Sequence, residues 1–128
     1  METGKEAVGH ADFRQRTFDF ALRIIRLVDA LPDNKICRTL GNQLLRSGTS
    51  IGANARAARR GRSRAEFIAK MGIVEEEADE TIYWLELLVA AEKIAPKKIE
   101  FLLKELNEIL SITVASIKTA RQPKRATA

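Results

Sequence analysis

A helix, a break and the start of a second helix are encoded in residues 35–67, which read KICRTLGNQLLRSGTSIGANARAARRGRSRAEF. Apolar and small residues recur here at steps of three and four, the period of an α-helix; they are Ile36, Leu40, Leu44, Ser47, Ile51, Ala55 and Ala58. This stripe predicts a helix over about Lys35–Arg59. Gly61 then ends it, and Ser63 and Glu66 have the spacing of a capping box, in which each side chain satisfies a backbone amide. The stretch therefore predicts two consecutive helices joined by a short junction.

The same periodicity predicts a helix on either side of this pair. In chain order, helix 1 covers about Asp12–Leu31, helix 2 is the helix over about Lys35–Arg59, helix 3 continues from Ser63 to about Ala91, and helix 4 runs from Pro96 to about Ala120. All three prolines fall where the apolar pattern stops, as expected because proline costs about 3 kcal/mol inside a helix; they are Pro32, Pro96 and Pro123.

Four helices with short connections predict an all-α fold, an up-down-up-down antiparallel four-helix bundle. No strand pattern competes with it, and 128 residues suit a single domain. We expect the bundle over residues 12–120, a flexible N-terminal arm over residues 1–11 and a basic disordered tail over residues 121–128.

The composition narrows the classes of function. Lys and Arg number 22 against 17 Asp and Glu, and the net charge of +5 favours an anionic partner. Cys37 is the only cysteine and His10 the only histidine, which excludes an intrachain disulfide and a Cys/His zinc cluster within one chain. We therefore expect neither an enzyme nor a cofactor. No apolar stretch approaches the roughly 20 residues that span a bilayer and no secretory signal is evident, so we expect a cytoplasmic protein without membrane association.

The predicted topology gathers positive charge at one end of the bundle. The start of helix 1, with Arg14 and Arg16, meets the helix 2–helix 3 junction and the end of helix 4, and the opposite end mixes acids and bases that largely cancel. Because arginine pairs bidentately with phosphate, this basic end is a candidate nucleic-acid interface. A solvated charged loop is the alternative. The candidate nucleic-acid-binding residues are Arg56, Arg59, Arg60, Arg62, Arg64, Lys118, Arg121, Lys124 and Arg125.

Helix 2 also contains Gly41, Gly48 and Gly52, each costing up to about 1 kcal/mol relative to alanine in a helix interior. Close approach of another helix would offset that cost, either inside the bundle or between subunits. On helix 3 the stripe of Met71, Ala78 and Ile82 carries Glu75 towards the core or a subunit contact. An arginine such as Arg46 is its expected partner, because an unpaired buried carboxylate would be costly.

Two further features bear on ligands. The acidic run of helix 3 offers carboxylate pairs one turn apart, but a ferritin-like di-metal site also needs histidines, so a solvated or ion-paired face is favoured; the run is Glu75, Glu76, Glu77, Asp79 and Glu80. The aromatics near the basic end are Phe13, Phe18 and Phe67, of which at least two belong to the predicted core. Binding should therefore be mainly to phosphate and only weakly sequence-specific.

The segment from helix 2 into helix 3 resembles a known family of four-helix bundles. The matching positions are Arg46, Ser50, Ile51, Asn54, Ser63, Glu66 and Phe67. The family comprises proteins encoded in intervening sequences of bacterial large-subunit ribosomal RNA genes, and it includes the accessory variability determinant of diversity-generating retroelements. This chain has Ala55-Arg56-Ala57-Ala58 where members commonly have Ala-Glu-Gly, which makes its junction more basic.

The resemblance implies a barrel-like homopentamer with a basic surface that binds RNA or DNA. For the retroelement members it also implies a reverse transcriptase as partner. Arg46 and Asn54 are then expected to form a buried polar pair or a subunit contact, rather than to touch nucleic acid directly.

The leading hypothesis is a non-enzymatic, oligomeric nucleic-acid-binding accessory protein that uses the basic end. The first alternative is a protein–protein adaptor whose arginines bind acidic protein surfaces. The second is a carboxylate metalloenzyme on helix 3. The residues do not distinguish RNA from DNA.

Overall fold

The computed structural model describes the backbone of residues 2–123 and the side chains of residues 12–123. Over that range the chain is all helical, and a short 3₁₀ helix, Pro96–Ile99, leads into the fourth α-helix. Each helix packs on the next, and the contact that closes the ring, between α1 and α4, is the weakest of the four. The all-α, four-helix prediction is confirmed. The helices are α1 (Glu2–Asp29), α2 (Lys35–Arg59), α3 (Arg64–Ala90) and α4 (Glu100–Arg121).

Side-chain caps fix the starts of α2 and α3. The Asn34 side chain accepts a hydrogen bond from the backbone N–H of Cys37 at 2.9 Å. The Ser63 hydroxyl accepts one from the N–H of Glu66 at 3.1 Å. The Glu66 carboxylate reaches back as predicted, but it accepts from the N–H of Arg62, at 2.8 Å, rather than from Ser63. Both caps satisfy amides that the helix itself leaves unpaired.

The end of α3 is closed by the backbone. Glu92 adopts a left-handed conformation with φ of 61°. The N–H of Lys93 then donates to the carbonyl of Leu88, and the N–H of Glu92 donates to that of Val89, each at 2.9 Å. This is the double hydrogen bond of a Schellman motif, which ends the helix and turns the chain towards α4.

The first helix begins ten residues before the predicted start at Asp12. Residues 2–11 contain no proline, so no residue type there forces a helix to stop. The expected flexibility of residues 1–11 stays a prediction, because their side chains lie outside the described residues. At the other end α4 reaches Arg121, one residue into the predicted tail, and residues 124–128 also lie outside the described residues.

The core runs the length of the bundle and contains one buried hydroxyl from each helix. Thr17 donates to the carbonyl of Arg14, and Thr113 donates to that of Ile109, so each is satisfied within its own helix. Ser47 and Thr81 instead meet across the α2–α3 contact, where their oxygens lie 2.9 Å apart. No described buried side-chain polar atom lacks a partner, as expected for a well-packed core.

The glycines of α2 face α1 within the same chain, which decides the question that the sequence left open. An added Cβ on Gly48 would lie 2.9 Å from two carbons of Ile24, and one on Gly41 would lie 3.1 Å from Leu31. At Gly52 the nearest atom is the backbone carbonyl oxygen of Thr17, at 3.3 Å. The absence of side chains at these positions therefore lets α1 and α2 approach closely.

We predict that Gly48→Ala destabilises the bundle, because its methyl group would overlap Ile24 in a core that cannot expand freely. Overpacking of this kind costs about 1–3 kcal/mol, against up to about 1 kcal/mol gained in helix propensity. Gly72→Ala in α3 is the matched control, because a Cβ there meets nothing within 4 Å. It should raise the free energy of unfolding by up to about 1 kcal/mol. Urea unfolding measures both, and a Gly48→Ala chain as stable as the Gly72→Ala chain would contradict the close packing.

Candidate nucleic-acid interface

The α2–α3 junction and the end of α4 meet at one end of the bundle. The Arg64 guanidinium, at the start of α3, donates to the backbone carbonyl of Gln122, just after α4, at 3.2 Å. Arg59 is the last residue of α2 and Arg60 caps that helix, so both stand at the junction itself. Two separate stretches of chain, the α2–α3 junction and the end of α4, thus bring their cations to one end.

The candidate binding residues at this end are exposed. None of the seven with described side chains forms a salt bridge with another described residue. Their charges therefore face solvent without a carboxylate partner in the described part of the chain. The seven are Arg56, Arg59, Arg60, Arg62, Arg64, Lys118 and Arg121. Lys124 and Arg125 lie outside the described residues.

Arg16 does not belong to this group, although its position in the sequence suggested that it would. Its guanidinium spans to α4, where it donates to both oxygens of Glu105, at 2.8 and 3.0 Å, and to Glu108 at 2.5 Å. The hydrogen bonds that Arg16 donates, together with its positive charge, lower the pKa of Glu105. The same hydrogen bonds and the negative charge of Glu105 raise the pKa of Arg16. Arg16 therefore holds α1 to α4 and is not free for an anion.

The two flanks of the basic end differ in charge. On the α1–α2 side Arg56 shares a cavity of about 330 Å³ with Arg14 and Phe18, and no carboxylate lines it. On the α3–α4 side Lys118 lies in a groove of about 900 Å³ whose α3 wall consists of Glu75, Glu76 and Asp79. Positive potential should therefore extend from the basic end along the α1–α2 side and be neutralised along the α3–α4 side.

The prediction that Glu75 lies near the core, paired with Arg46, is wrong within this chain. Glu75 is exposed, because Val74, Ala78 and Thr81 occupy the buried positions of α3 and turn Glu75 towards α4. A role for Glu75 in a subunit contact stays a prediction.

Arg46 has other partners than the ones predicted. It bridges to Glu77 at 3.1 Å and also forms a salt bridge with Glu80, on the outer side of the α2–α3 contact. Asn54 is half-buried and donates to the carbonyl of Ser50 at 2.9 Å, inside its own helix. The predicted Arg46–Asn54 pair does not form in the chain, because residues eight apart lie about 12 Å apart along a helix.

The opposite end of the bundle carries a local group of cations beside Phe101. Four cations line a cavity of about 560 Å³ beside Phe101, and no carboxylate contributes to its wall. The Arg23 guanidinium lies over the Phe101 ring, 4.3 Å from its centre. Asp33 pairs with Arg38 at 2.6 Å, which is one of the acid–base pairings expected at this end. The cations are Arg23, Arg26, Lys93 and Lys98.

Among the described residues, no three His, Cys, Asp or Glu side chains are grouped so as to hold a metal ion. In the same part of the chain no helix combines the length and apolarity needed to cross a bilayer. The cytoplasmic location and the absence of a cofactor stay predictions.

The family model for the 23S rRNA-intervening sequence protein matches residues 10–115 of this chain, which is most of the bundle. The chain belongs to this family. The resemblance is thereby confirmed, both for the α2–α3 segment that carries its motif and for the range of about Phe13–Ala120 over which the helix pattern extends it.

A solved structure agrees with this family membership. It is the crystal structure of a protein of unknown function from the S23 ribosomal protein family, from Bacteroides thetaiotaomicron VPI-5482. The two chains are 39% identical, with a TM-score of 0.80 over 85% of this chain and 97% of the other. Among curated proteins none matches this chain.

Two features of the site escaped sequence reasoning. The first is the exposure of the Phe18 ring. Phe18 was one of three aromatics of which at least two were expected in the core, and it was not singled out as exposed. It stands one residue after the buried Thr17 and outside the stripe of Phe13, Phe20 and Ile24. That offset was the available signal. The second is the Arg16–Glu105 pair, which joins residues 89 apart in the sequence. No local sequence pattern predicts a contact at that separation.

Glu105→Gln should destabilise the bundle at neutral pH by about 1 kcal/mol, because it removes the charge that Arg16 binds. The pKa of Glu105 is lowered in the fold, so its contribution is complete above the unfolded value of about 4.3 and is lost as the pH falls below it. Urea unfolding of wild type and variant should therefore differ most at pH 7, and the difference should narrow as the pH falls below about 4.3 towards the lowered pKa of the folded state. Glu86→Gln, at an exposed position without a described salt bridge, is the control and should show no pH-dependent difference. A gap for Glu105→Gln that does not narrow at all between pH 7 and the acid range would contradict the assignment.

Proposed function

We propose that this protein is a non-enzymatic, oligomeric accessory protein that binds nucleic acid through its basic end. The observation that carries the proposal is the set of seven exposed cations, drawn from α2, α3 and α4, that have no salt-bridge partner among the described residues. A polyanion is the partner that such a surface fits best.

The chemistry of the surface favours phosphate over isolated carboxylates. Six of the seven residues are arginines, five of them at or beside the junction, and the planar fork of arginine pairs bidentately with phosphate oxygens. Each phosphate neutralised by a cation releases counterions, so affinity falls as salt rises, with a slope of about −0.9 per contact on a logarithmic plot for duplex DNA. A nucleic acid bound here should therefore show a steep salt dependence and little sequence preference.

The family's name links its members to intervening sequences of 23S rRNA, which makes RNA a natural first probe. The homopentamer belongs to the same proposal. Five chains of 14.3 kDa around one axis would place five basic ends on one ring, and simultaneous contacts raise affinity beyond that of one end. Light scattering coupled to size exclusion measures the assembly directly. A reverse transcriptase partner, implied only for retroelement members, stays a prediction that co-purification from a host with such an element would test.

Replacing Arg59, Arg60 and Arg62 together by alanine should weaken binding to a short mixed-sequence RNA by at least about tenfold at 0.1 M salt. The salt slope should fall by up to about 2.7, the value for three lost phosphate contacts on a duplex, or somewhat less on a single strand. Fluorescence anisotropy titrations at several salt concentrations measure both quantities.

The matched control replaces Arg26, Lys93 and Lys98, which removes the same charge from the opposite end of the bundle. It should change both quantities much less. Equal losses from the two triple variants would show that only net charge matters, and an unchanged isotherm for the junction variant would exclude the basic end. If the wild-type protein binds no nucleic acid at moderate salt, the adaptor alternative takes its place.

A further inference from the structure

We propose that the cavity between α1 and α2 is a binding site for single-stranded nucleic acid, in which one unpaired base stacks on Phe18 while Arg14 and Arg56 hold the neighbouring phosphates. This inference rests on the proposed function and adds to it a strand type and a position. It concerns a site on the flank of the basic end, and it makes Phe18 and Arg14 binding residues in addition to Arg56.

Phe18 offers a free aromatic face. Its side chain is 53% exposed although an apolar ring gains by burial. The other strongly exposed aromatic rings already have a π partner: Tyr83 packs edge-on against Trp84 at 5.0 Å, and Arg23 covers Phe101. No such partner is found for Phe18 among the described residues. An exposed, uncovered ring beside arginines is the arrangement that stacks unpaired bases.

Most of the cavity lining beside Phe18 consists of small residues. Gly52 has no side chain, and Ala21, Thr49 and Ala53 complete the walls beside the ring. The same close approach of α1 and α2 that Gly52 permits thus leaves a recess next to Phe18. Its volume of about 330 Å³ lies at the low end of the range for small-molecule sites, which suits one nucleobase better than a folded peptide.

The positive charges on both helices that border the cavity favour the binding of an anion. Arg14 on α1 and Arg56 on α2 both contribute to its wall, and no carboxylate does. The whole of α2, Lys35–Arg59, contains no acidic residue. A strand leaving the basic end along this side would meet no carboxylate in the cavity wall, whereas along the α3–α4 side it would pass Glu75 and Asp79. The electrostatics therefore select the α1–α2 side for the continuation of a bound strand.

This arrangement distinguishes single strands from duplexes. In a duplex the bases are stacked on one another, so their faces are not available to Phe18, and only phosphate contacts remain. In a single strand the base face is free, and stacking on an aromatic side chain adds roughly five- to hundredfold in affinity. The preference for a single strand should therefore depend on Phe18 and not on the junction arginines.

Phe18→Ala tests this directly. Anisotropy titrations with a 12-nucleotide RNA and with the same RNA as a 12-base-pair duplex should show a loss of roughly five- to hundredfold for the single strand and less than about twofold for the duplex. Phe18→Tyr should keep the wild-type preference, because it retains the ring. Tyr83→Ala is the matched control, since Tyr83 is 56% exposed but lies among the acids of α3, and it should change neither titration.

Three results would overturn the inference. The first is wild-type binding of the single strand by Phe18→Ala, and the second is an equal loss for strand and duplex. The third is a lower mass for Phe18→Ala in light scattering, which would make Phe18 a contact between copies of the chain. In each case the junction triple variant still reports separately on the proposed function. Failure of the wild-type protein to bind either probe would reject the proposed function, and this site with it.

Discussion

The close approach of α1 to α2 is the constraint on which the arrangement of the functional residues depends. Gly48 lies against Ile24 with no room for a methyl group, and Gly52 lies against the backbone of Thr17. These contacts fix both the distance and the register of the two helices. Arg14 and Phe18, each within four residues of Thr17, are thereby placed beside Arg56. A helix pair held further apart would separate the two arginines and widen the recess between them.

Polar contacts join two of the other helix pairs, α2–α3 and α1–α4, and they also decide which charges remain available. Arg46 engages Glu77 and Glu80 across α2 and α3, and Arg16 engages Glu105 and Glu108 across α1 and α4. Glu66 is occupied with the backbone of the α2–α3 junction. These acids are therefore committed to structural roles, while the arginines of the junction are left to solvent. The contacts between helices, as well as the position along the bundle, therefore determine which charges are paired and which face solvent.

Most of the fold follows from local sequence signals, and the site follows only in part. The bounds of α2 and α3 match their predictions closely because caps, a terminating glycine and a clean apolar period all lie within a few residues of each boundary. Family membership was predictable for a similar reason, since the matching residues are concentrated around Arg46–Phe67. The position of the arginines at one end required only the antiparallel topology.

The errors have a common physical origin in the rotation of helices and the reach of long side chains. A stripe containing Met71, Glu75 and Ala78 and one containing Met71, Val74 and Ala78 have equally helical spacing, and only packing against α2 and α4 selects the second. Arg46 and Arg16 form salt bridges with acids on neighbouring helices, and the spacing of residues along one helix does not indicate such pairs. The cations near Phe101 come from α1 and from the segment between α3 and α4, and spacing along one helix does not indicate that these parts of the chain meet.

The buried hydroxyls have a consequence for the motions of the bundle. Thr17 and Thr113 bond only to carbonyls of their own helices, so α1 and α4 can shift against their neighbours without breaking a buried interhelical hydrogen bond at those positions. Ser47 and Thr81 join α2 to α3, and any relative movement of that pair must break their bond inside the core. The α2–α3 hairpin should therefore behave as one cooperative unit, whose core amides exchange with solvent last, while the seam between α1 and α4 opens first. The junction arginines are carried by the stiffest part of the molecule.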